Sequence, residues 1–259
     1  MSDTTTFAPG TFTPDTRRSS IASMVASQAM IESKLFLRHG EQQLLSLIIP
    51  LLSLIALAKT SVIDTPNPID VAFPLTLAIS VMSSGFTGQA IAVAFDRRYG
   101  ALKRIGASGV PPWTIISGKI VAVIAVAIVQ TIILTITALI LGWHPTATGV
   151  ATALVVLLFG VAAFTGLGLL VGGTLNAEVV LALANLIWFV LVGLSSFVVV
   201  RSAGDIHPML NIVPSVALAD GFEEAFMGHL PLMHIGVLAI WAILGGAAAT
   251  KFFRFTSKD

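Results

Sequence analysis

Residues 150–175 read VATALVVLLFGVAAFTGLGLLVGGTL and contain no charged side chain. The hydrocarbon core of a bilayer is about 30 Å thick, and about 20 apolar residues cross it as a helix. The stretch does not alternate apolar and polar residues, as the strands of a membrane barrel do. Because backbone groups in lipid must be paired within the segment, the stretch predicts a membrane-spanning α-helix.

Five other stretches share this character, so the chain is predicted to be an all-α membrane protein. The six predicted spans cover residues 44–63, 71–95, 120–141, 150–175, 179–200 and 232–250. Lys59, whose long stem can reach the interface, is the one charged residue within them. Only 10% of the residues are charged, whereas a soluble domain has about 25%, which argues against a soluble enzyme. The chain has no cysteine, which excludes disulfides, thiolate metal sites and cysteine nucleophiles.

The distribution of basic residues predicts the orientation of the spans. Of the 14 Lys and Arg residues, only Lys59 and Arg201 lie on one side of the membrane. The other twelve lie in the N-terminal segment, the loop between the second and third spans, and the C-terminal tail. Basic residues accumulate on the cytoplasmic side, so we expect both termini there, an N-in/C-in arrangement. Residues 1–18 are expected to form a flexible cytoplasmic tail, and residues 19–259 a single transmembrane domain.

Two segments outside the spans are expected to be helical. Apolar residues recur every three or four positions between Ile21 and Leu35, which predicts an N-terminal amphipathic helix on the inner membrane surface, ending near Arg38. An ordinary solvated helix is the alternative. The outer loop 201–231 contains Ile212–Leu218, which is too short to cross the membrane and predicts a re-entrant segment before the last span.

Small residues in the fourth span predict a close approach between helices. Gly168 and Gly172 lie four residues apart and therefore on one face of the helix. Glycines at this spacing let two helix backbones come close together. Packing within the chain is the favoured interpretation, and contact with a second copy is the alternative.

The sequence lacks the motif of a nucleotide-hydrolysing protein. The nearest match to a phosphate-binding loop is Gly118–Lys119, but that motif needs Ser or Thr where Ile120 stands and Gly where Trp113 stands. The chain is therefore expected to be no enzyme and to bind no cofactor, metal or nucleic acid itself. No charged residue lies deep in a span, which argues against a carrier coupled to protons or sodium through buried carboxylates.

Uncharged polar residues in two spans form a candidate substrate pathway. They are Thr76, Ser80, Ser83, Ser84 and Thr87 in the second span, and Asn185, Trp188 and Ser196 in the fifth. Those of the second span recur every three or four residues and so share one helix face. Their hydroxyls could bond within their own helix or to its neighbours. The other interpretation is a weakly polar seam along which an amphipathic substrate moves.

The loop between the second and third spans is the most informative soluble segment. Residues 96–119 read DRRYGALKRIGASGVPPWTIISGK. Leu102–Ile105 predicts a short amphipathic helix, Gly109–Pro112 would end it, and Lys119 would lie at the membrane interface. We interpret the loop as a helical projection on the cytoplasmic side that docks a soluble partner. A basic loop that contacts anionic lipid is the alternative.

At these residues the chain resembles the ABC-2 family of ATP-binding-cassette transporter permeases. The shared pattern is a charged residue, Gly100, the triplet Leu102–Arg104, a short turn of small residues and proline, and Gly118–Lys119 before the third span. Gly109 departs from it, because many members have Thr or Ser directly before a single proline. The resemblance extends over nearly the whole chain and includes the outer segment from Pro214.

The resemblance implies a permease half that pairs with a second half, identical or paralogous, in a bacterial plasma membrane. A separate ATPase subunit would bind ATP and magnesium and dock on the loop. The implied coupling residues are Arg97, Arg98, Gly100, Leu102, Lys103, Arg104 and Ile105. Cargo would pass between the second and fifth spans of the two halves. We expect export of a hydrophobic or amphipathic compound; a polysaccharide or glycolipid permease, a nucleotide-independent secondary carrier and a membrane scaffold are the alternatives.

Overall fold

The described part of the chain is all-α, as predicted. The computed structural model describes residues 19–38, 40–60, 62–63, 65–107, 110, 112–200 and 208–252, and these contain no strand. The predicted tail, residues 1–18, lies outside them. The helices are α1 (Ile21–Arg38), α2 (Gly40–Gln43), α3 (Ile49–Lys59), α4 (Pro68–Met82), α5 (Gly88–Arg98), α6 (Ala101–Ala107), α7 (Pro112–Ile140), α8 (Ala147–Thr174), α9 (Ala177–Val200), α10 (Pro214–Phe226) and α11 (Leu232–Phe252).

Three irregular turns connect some of these helices. The π-helical turn Leu44–Ile48 joins α2 to α3, and the π-helical turn Ser83–Thr87 joins α4 to α5. A 3-10 turn, Pro208–Ile212, precedes α10. Because the backbone stays helical through the π turn Ser83–Thr87, we call the unit Pro68–Arg98 the central helix.

Five helical units of the described residues are long and apolar enough to cross a membrane. They are Pro68–Arg98, Trp113–Ile140, Ala147–Thr174, Ala177–Val198 and Leu232–Phe252. They correspond to the second to sixth predicted spans. The segment predicted as the first span, 44–63, is a shorter apolar helix, Leu44–Lys59. It ends early because Thr60 has extended backbone angles (φ −110°, ψ 159°).

The central helix forms the core of the bundle. In the central helix, 89% of the most apolar stretch is buried inside the protein. The corresponding share is 33% for Trp113–Ile140, 22% for Ala177–Val198 and 17% for Leu232–Phe252. The central helix packs against α3, α7, α8, α9 and α10. The outer helices therefore carry most of the apolar surface that remains exposed.

The fourth predicted span, α8, packs closely against two helices through glycine. A Cβ atom at Gly172 would lie 2.3 Å from the carbonyl oxygen of Ala90 in the central helix, and Gly168 makes a similarly close approach. Elsewhere along α8, a Cβ atom at Gly166 would lie 3.2 Å from the carbonyl carbon of Gly245 in α11, so these two helix backbones are also in close contact. The structure therefore shows the packing within the chain that the glycine spacing favoured.

The segment before the last helix is α10, whose first six residues are all buried. It packs against α4, α8, α9 and α11. With 13 residues, it is too short to cross a bilayer. Its position relative to the membrane stays a prediction, and residues 201–207 lie outside the described part of the chain.

Replacing Gly172 by alanine is expected to destabilise the bundle. The new methyl group would meet the Ala90 carbonyl at 2.3 Å, so α8 must move away from the central helix at a cost of about 1–3 kcal/mol. Thermal unfolding of the purified protein in detergent measures the effect. Gly193→Ala is the control, since a Cβ there has no neighbour within 4 Å, and alanine is the better helix former. Equal stability of the two variants would contradict the close packing.

Candidate functional site

The loop between the central helix and α7 folds into the short helix α6. Gly100 starts it with a positive φ of 70°, a left-handed conformation that glycine adopts without strain. The amide of Arg104 donates to the carbonyl of Gly100 at 3.1 Å, and its guanidinium donates to the carbonyl of Tyr99 at 3.2 Å. The predicted helix over Leu102–Ile105 is present and is slightly longer, while Gly109 and Pro111 lie outside the described residues.

Two of the predicted coupling residues are buried and anchor the segment. Leu102 is 1% exposed and packs among Val93, Ile115 and Leu169. Arg97 is 4% exposed, and its guanidinium donates to two carbonyl oxygens at the end of α8, at 2.8 and 2.9 Å. A cation at this end of a helix pairs with otherwise unsatisfied carbonyls. Neither side chain is exposed to a soluble partner in this conformation, and their coupling role stays a prediction.

The remaining coupling residues differ in exposure. Lys103 and Arg104 are exposed, Ile105 is half-buried, and Arg98 forms an ion pair with Glu178. We call Lys103 and Arg104 the exposed basic pair. It is the part of the predicted docking segment that the structure presents to solvent.

Two aromatic residues of the same loop are also exposed, and sequence reasoning did not single them out. Tyr99 is 66% exposed and its ring contacts Phe95, while Trp113 is 48% exposed. Tyr, Trp and Arg are enriched at protein interfaces. Their position at either end of the loop was the signal that could have identified them.

Lys119 is buried, although the sequence placed it at the membrane interface. Its side chain is 1% exposed. Its ammonium lies 2.6 Å from a carboxylate oxygen of Glu32 in α1 and 3.0 Å from one of Asp96 in α5. We call these three residues the charge triad. The contact between Asp96 and Lys119 joins the two ends of the loop that contains α6.

The five hydroxyl-bearing residues predicted in the second span all face the protein interior. Thr76, Ser80, Ser83, Ser84 and Thr87 are each at most 1% exposed. The hydroxyls of Thr76, Ser83 and Ser84 donate to carbonyls one turn earlier, at 2.8, 2.9 and 3.0 Å. These are the contacts expected if the hydroxyls bond within their own helix, and a role in a substrate pathway stays a prediction.

Ser80 belongs to a buried hydrogen-bond network near the two π-helical turns. Its hydroxyl donates to the carbonyl of Ser46 at 2.6 Å, and the amide of Gln130 donates to the Ser46 hydroxyl at 2.9 Å. The side chain of Gln42 donates to the carbonyl of Ser83 at 3.2 Å. The network joins the helix preceding α3, the central helix and α7. Sequence reasoning missed Gln42 and Ser46, because neither belongs to a recurring pattern.

The polar residues of the fifth predicted span lie apart from this network. Asn185 donates to the carbonyl of Leu181 at 2.9 Å, Ser196 is half-buried, and Trp188 is buried with its ring edge on Phe189. Within the described part of the chain, no hydrogen bond links these three residues to the polar residues of the central helix. The helices that carry the two predicted sets pack together, but no hydrogen bond joins the sets within the described part of the chain.

An apolar cavity of about 530 Å³ lies beside the central helix. Its walls include Phe86, Leu167, Val171, Ile187, Leu191 and Trp241. The indole N–H of Trp241 already donates to the carbonyl of Ile212 at 2.9 Å, so the wall offers little for a polar ligand to bind. The cavity has the size and lining typical of sites for hydrophobic molecules. Sequence reasoning missed it, since each wall residue is an ordinary apolar residue.

Acidic residues gather around α10. A nitrogen of the His234 ring lies 3.1 Å from a carboxylate oxygen of Glu224. Burial, followed by repulsion from Asp220, raises the pKa of Glu223 to about 7. Burial also raises the pKa of Asp220, with Glu224 contributing in the same direction and His234 opposing it. Among the described residues, no group of histidine and acidic side chains is arranged to hold a metal ion.

The raised pKa of Glu223 predicts a pH-dependent stability. Between its ordinary value of 4.5 and about 7, the folded chain holds a proton that the unfolded chain releases, so the free energy of unfolding falls as pH rises through this range. Glu223→Gln should flatten that decline and be more stable than the native protein at pH 8. Thermal unfolding between pH 5 and pH 8 measures it. Asp70→Asn, at an exposed carboxylate, is the control and should leave the decline unchanged.

The chain matches the model of a known protein family. The family model described as ABC-2 type transporter matches residues 27–223. It covers the chain from α1 through the central helix and α6 to α10. The match confirms the resemblance that the loop motif indicated. No curated protein sequence matches the chain.

Proposed function

Since the chain belongs to the family of ABC-2 type transporters, we propose that it is one permease half of an ATP-binding-cassette exporter. The family implies a membrane component without an ATPase site of its own, working with an ATPase partner. We further propose six spans in an N-in/C-in arrangement, with Leu44–Lys59 as the first and α1 on the inner surface. A second half, identical or paralogous, completes the passage in a bacterial plasma membrane, and the partner ATPase binds ATP and magnesium.

The observation that carries this proposal is the construction of α6. Leu102 anchors the helix in the bundle while the exposed basic pair points away from it. Arg97 fixes the preceding residues to the end of α8. A short helix held at its base and exposed along one side is suited to receiving a force from a soluble subunit. Its two cations favour an acidic groove on that subunit.

The cargo class is proposed from the apolar cavity. A highly charged or heavily hydroxylated sugar chain would lose its hydrogen bonds to water without replacement among walls such as Phe86, Leu167 and Leu191. A hydrophobic or amphipathic molecule gains free energy by burying its apolar part there. The cavity is bounded by Phe86 of the central helix and by residues of α8, α9 and α11, so two of its walls belong to the helices between which the passage of the two halves is proposed. Export of a drug-like or lipid-like compound is therefore favoured over polysaccharide transport.

Reversing the charge of the exposed basic pair is expected to release the ATPase. In the variant Lys103→Glu/Arg104→Glu, an acidic groove would meet two carboxylates, which should weaken binding by about tenfold or more. Purification in mild detergent, followed by measuring the ATPase that accompanies the permease, tests this. Both residues are exposed, and the bond that Arg104 donates to the Tyr99 carbonyl is at the surface, so thermal unfolding should change little.

Lys251→Glu is the control for this experiment, because Lys251 is an exposed cation in the last turn of α11. The control should retain the ATPase. Retention of the ATPase by the double variant as well would contradict the docking role of α6. A native permease that brings down no ATPase would contradict the proposed function itself.

Filling the apolar cavity is expected to block transport while leaving the ATPase bound. Val171→Trp places a large ring against the cavity wall, whereas Leu186→Trp, at a 61% exposed position on α9, should have little effect. ATP-dependent uptake of a lipophilic fluorescent amine into inverted membrane vesicles measures transport. Undiminished uptake by Val171→Trp would contradict the role of the cavity, and uptake driven by an ion gradient without ATP would favour a secondary carrier.

A further inference from the structure

The charge triad joins three separate parts of the chain at one point. Glu32 comes from the N-terminal helix α1, Asp96 from the end of the central helix, and Lys119 from the beginning of α7. Asp96 precedes α6 in the chain and Lys119 follows it. The triad therefore ties both ends of the α6 loop to each other and ties α1 to both.

The triad has the geometry of a strong, oriented interaction. The Lys119 side chain is 1% exposed, and its carboxylate partners are 14% exposed for Glu32 and 33% for Asp96. The amide of Gln28, one turn earlier in α1, donates to the same oxygen of Glu32 at 2.9 Å and so orients it. A buried charge that loses its partners is strongly destabilised, so the three residues are held together.

Shape complementarity at the neighbouring residue adds to the electrostatic contact. A Cβ atom at Gly118 would lie 2.5 Å from Cγ and 2.6 Å from Cβ of Gln28. Elsewhere α1 packs along α7 through side chains that are only half-buried, such as Met24 and Phe36, and Ala29 is its one fully buried residue. Among the described residues, the charge triad is the contact that ties α1 to α7 and to the end of the central helix at a single point.

We propose that Lys119 is a positioning residue that makes α1, the base of α6 and the first turns of α7 move as one rigid body. A force applied by the ATPase to α6 then displaces α1 together with α7, rather than bending the loop alone. This inference rests on the proposed function and extends it, because it assigns the transmission of the ATPase stroke to a defined contact. Lys119, Glu32 and Asp96 act through α6 and do not themselves contact ATP or cargo.

Spin-label distances in the purified complex with its ATPase test the inference. The chain has no native cysteine, so Met30→Cys on α1 and Val121→Cys on α7, both at exposed positions, give one clean label pair. With the triad intact, the distance distribution should be the same without nucleotide and with ATP plus vanadate. In the triple variant Glu32→Gln/Asp96→Asn/Lys119→Met, the distribution should broaden and shift when ATP and vanadate are added.

The triple variant removes all three charges and so leaves none of them buried without a partner, which keeps the protein foldable. The ratio of lipophilic amine transported to ATP hydrolysed should fall by about tenfold, within the range of typical coupling between sites. Lys119→Arg keeps the cation and should preserve the fixed distance. Gly118→Ala, which forces α1 away without changing charge, should act like the triple variant, whereas Gly236→Ala, with open space around its Cβ, should not.

Three results would overturn the inference. The first is an ATP-dependent change of distance in the protein with an intact triad, and the second is a fixed distance in the triple variant; either removes this inference and leaves the proposed function standing. The third is a complex without any ATPase, which removes the proposed function and this inference together.

Discussion

Backbone contact between the central helix and α8 constrains the arrangement of the whole bundle. At Gly168 and Gly172 no side chain separates the two helices, so the end of α8 lies within reach of Arg97. That guanidinium binds the last carbonyls of α8 and fixes the point where the chain leaves the central helix. The packing of α8 against the central helix at Gly168 and Gly172 therefore also sets the position of the residues that precede α6.

The need to pair polar groups away from water explains the interior of the central helix. The hydroxyls of Thr76, Ser83 and Ser84 donate to carbonyls one turn earlier. Ser80 instead donates to the carbonyl of Ser46 in the neighbouring π-helical turn, and Thr87 is left without a hydrogen-bond partner among the described residues. Turns of this kind disturb the regular ladder of helix hydrogen bonds and frequently occur at functional sites. Gln130 and Gln42 complete the pairing from two other segments. Within the stripe, Ser80 therefore joins the central helix to a neighbouring segment, while Thr76, Ser83 and Ser84 bond within their own helix.

The proposed transport cycle follows from how charge and apolar surface are separated along the bundle. At one end, buried cations are paired in the charge triad and at Arg97, and the exposed basic pair remains available to an acidic partner. Beside the central helix, the cavity offers apolar walls to a hydrophobic cargo. The ATPase and the cargo would therefore act on different parts of the central helix. This separation is what we expect of a permease whose energy comes from ATP hydrolysis in another subunit.

Local features of the sequence were sufficient to predict the helices themselves. The apolar run 150–175 became α8, the pattern from Ile21 to Leu35 became α1, and Leu102–Ile105 became part of α6, because helix formation depends on neighbouring residues and their periodicity. Local periodicity could not predict that the side chains of Arg97, Leu102 and Lys119 are buried. Arg97 binds a carbonyl 75 residues away, and only the packing of distant helices decides whether a basic side chain meets water, a carboxylate or the end of another helix.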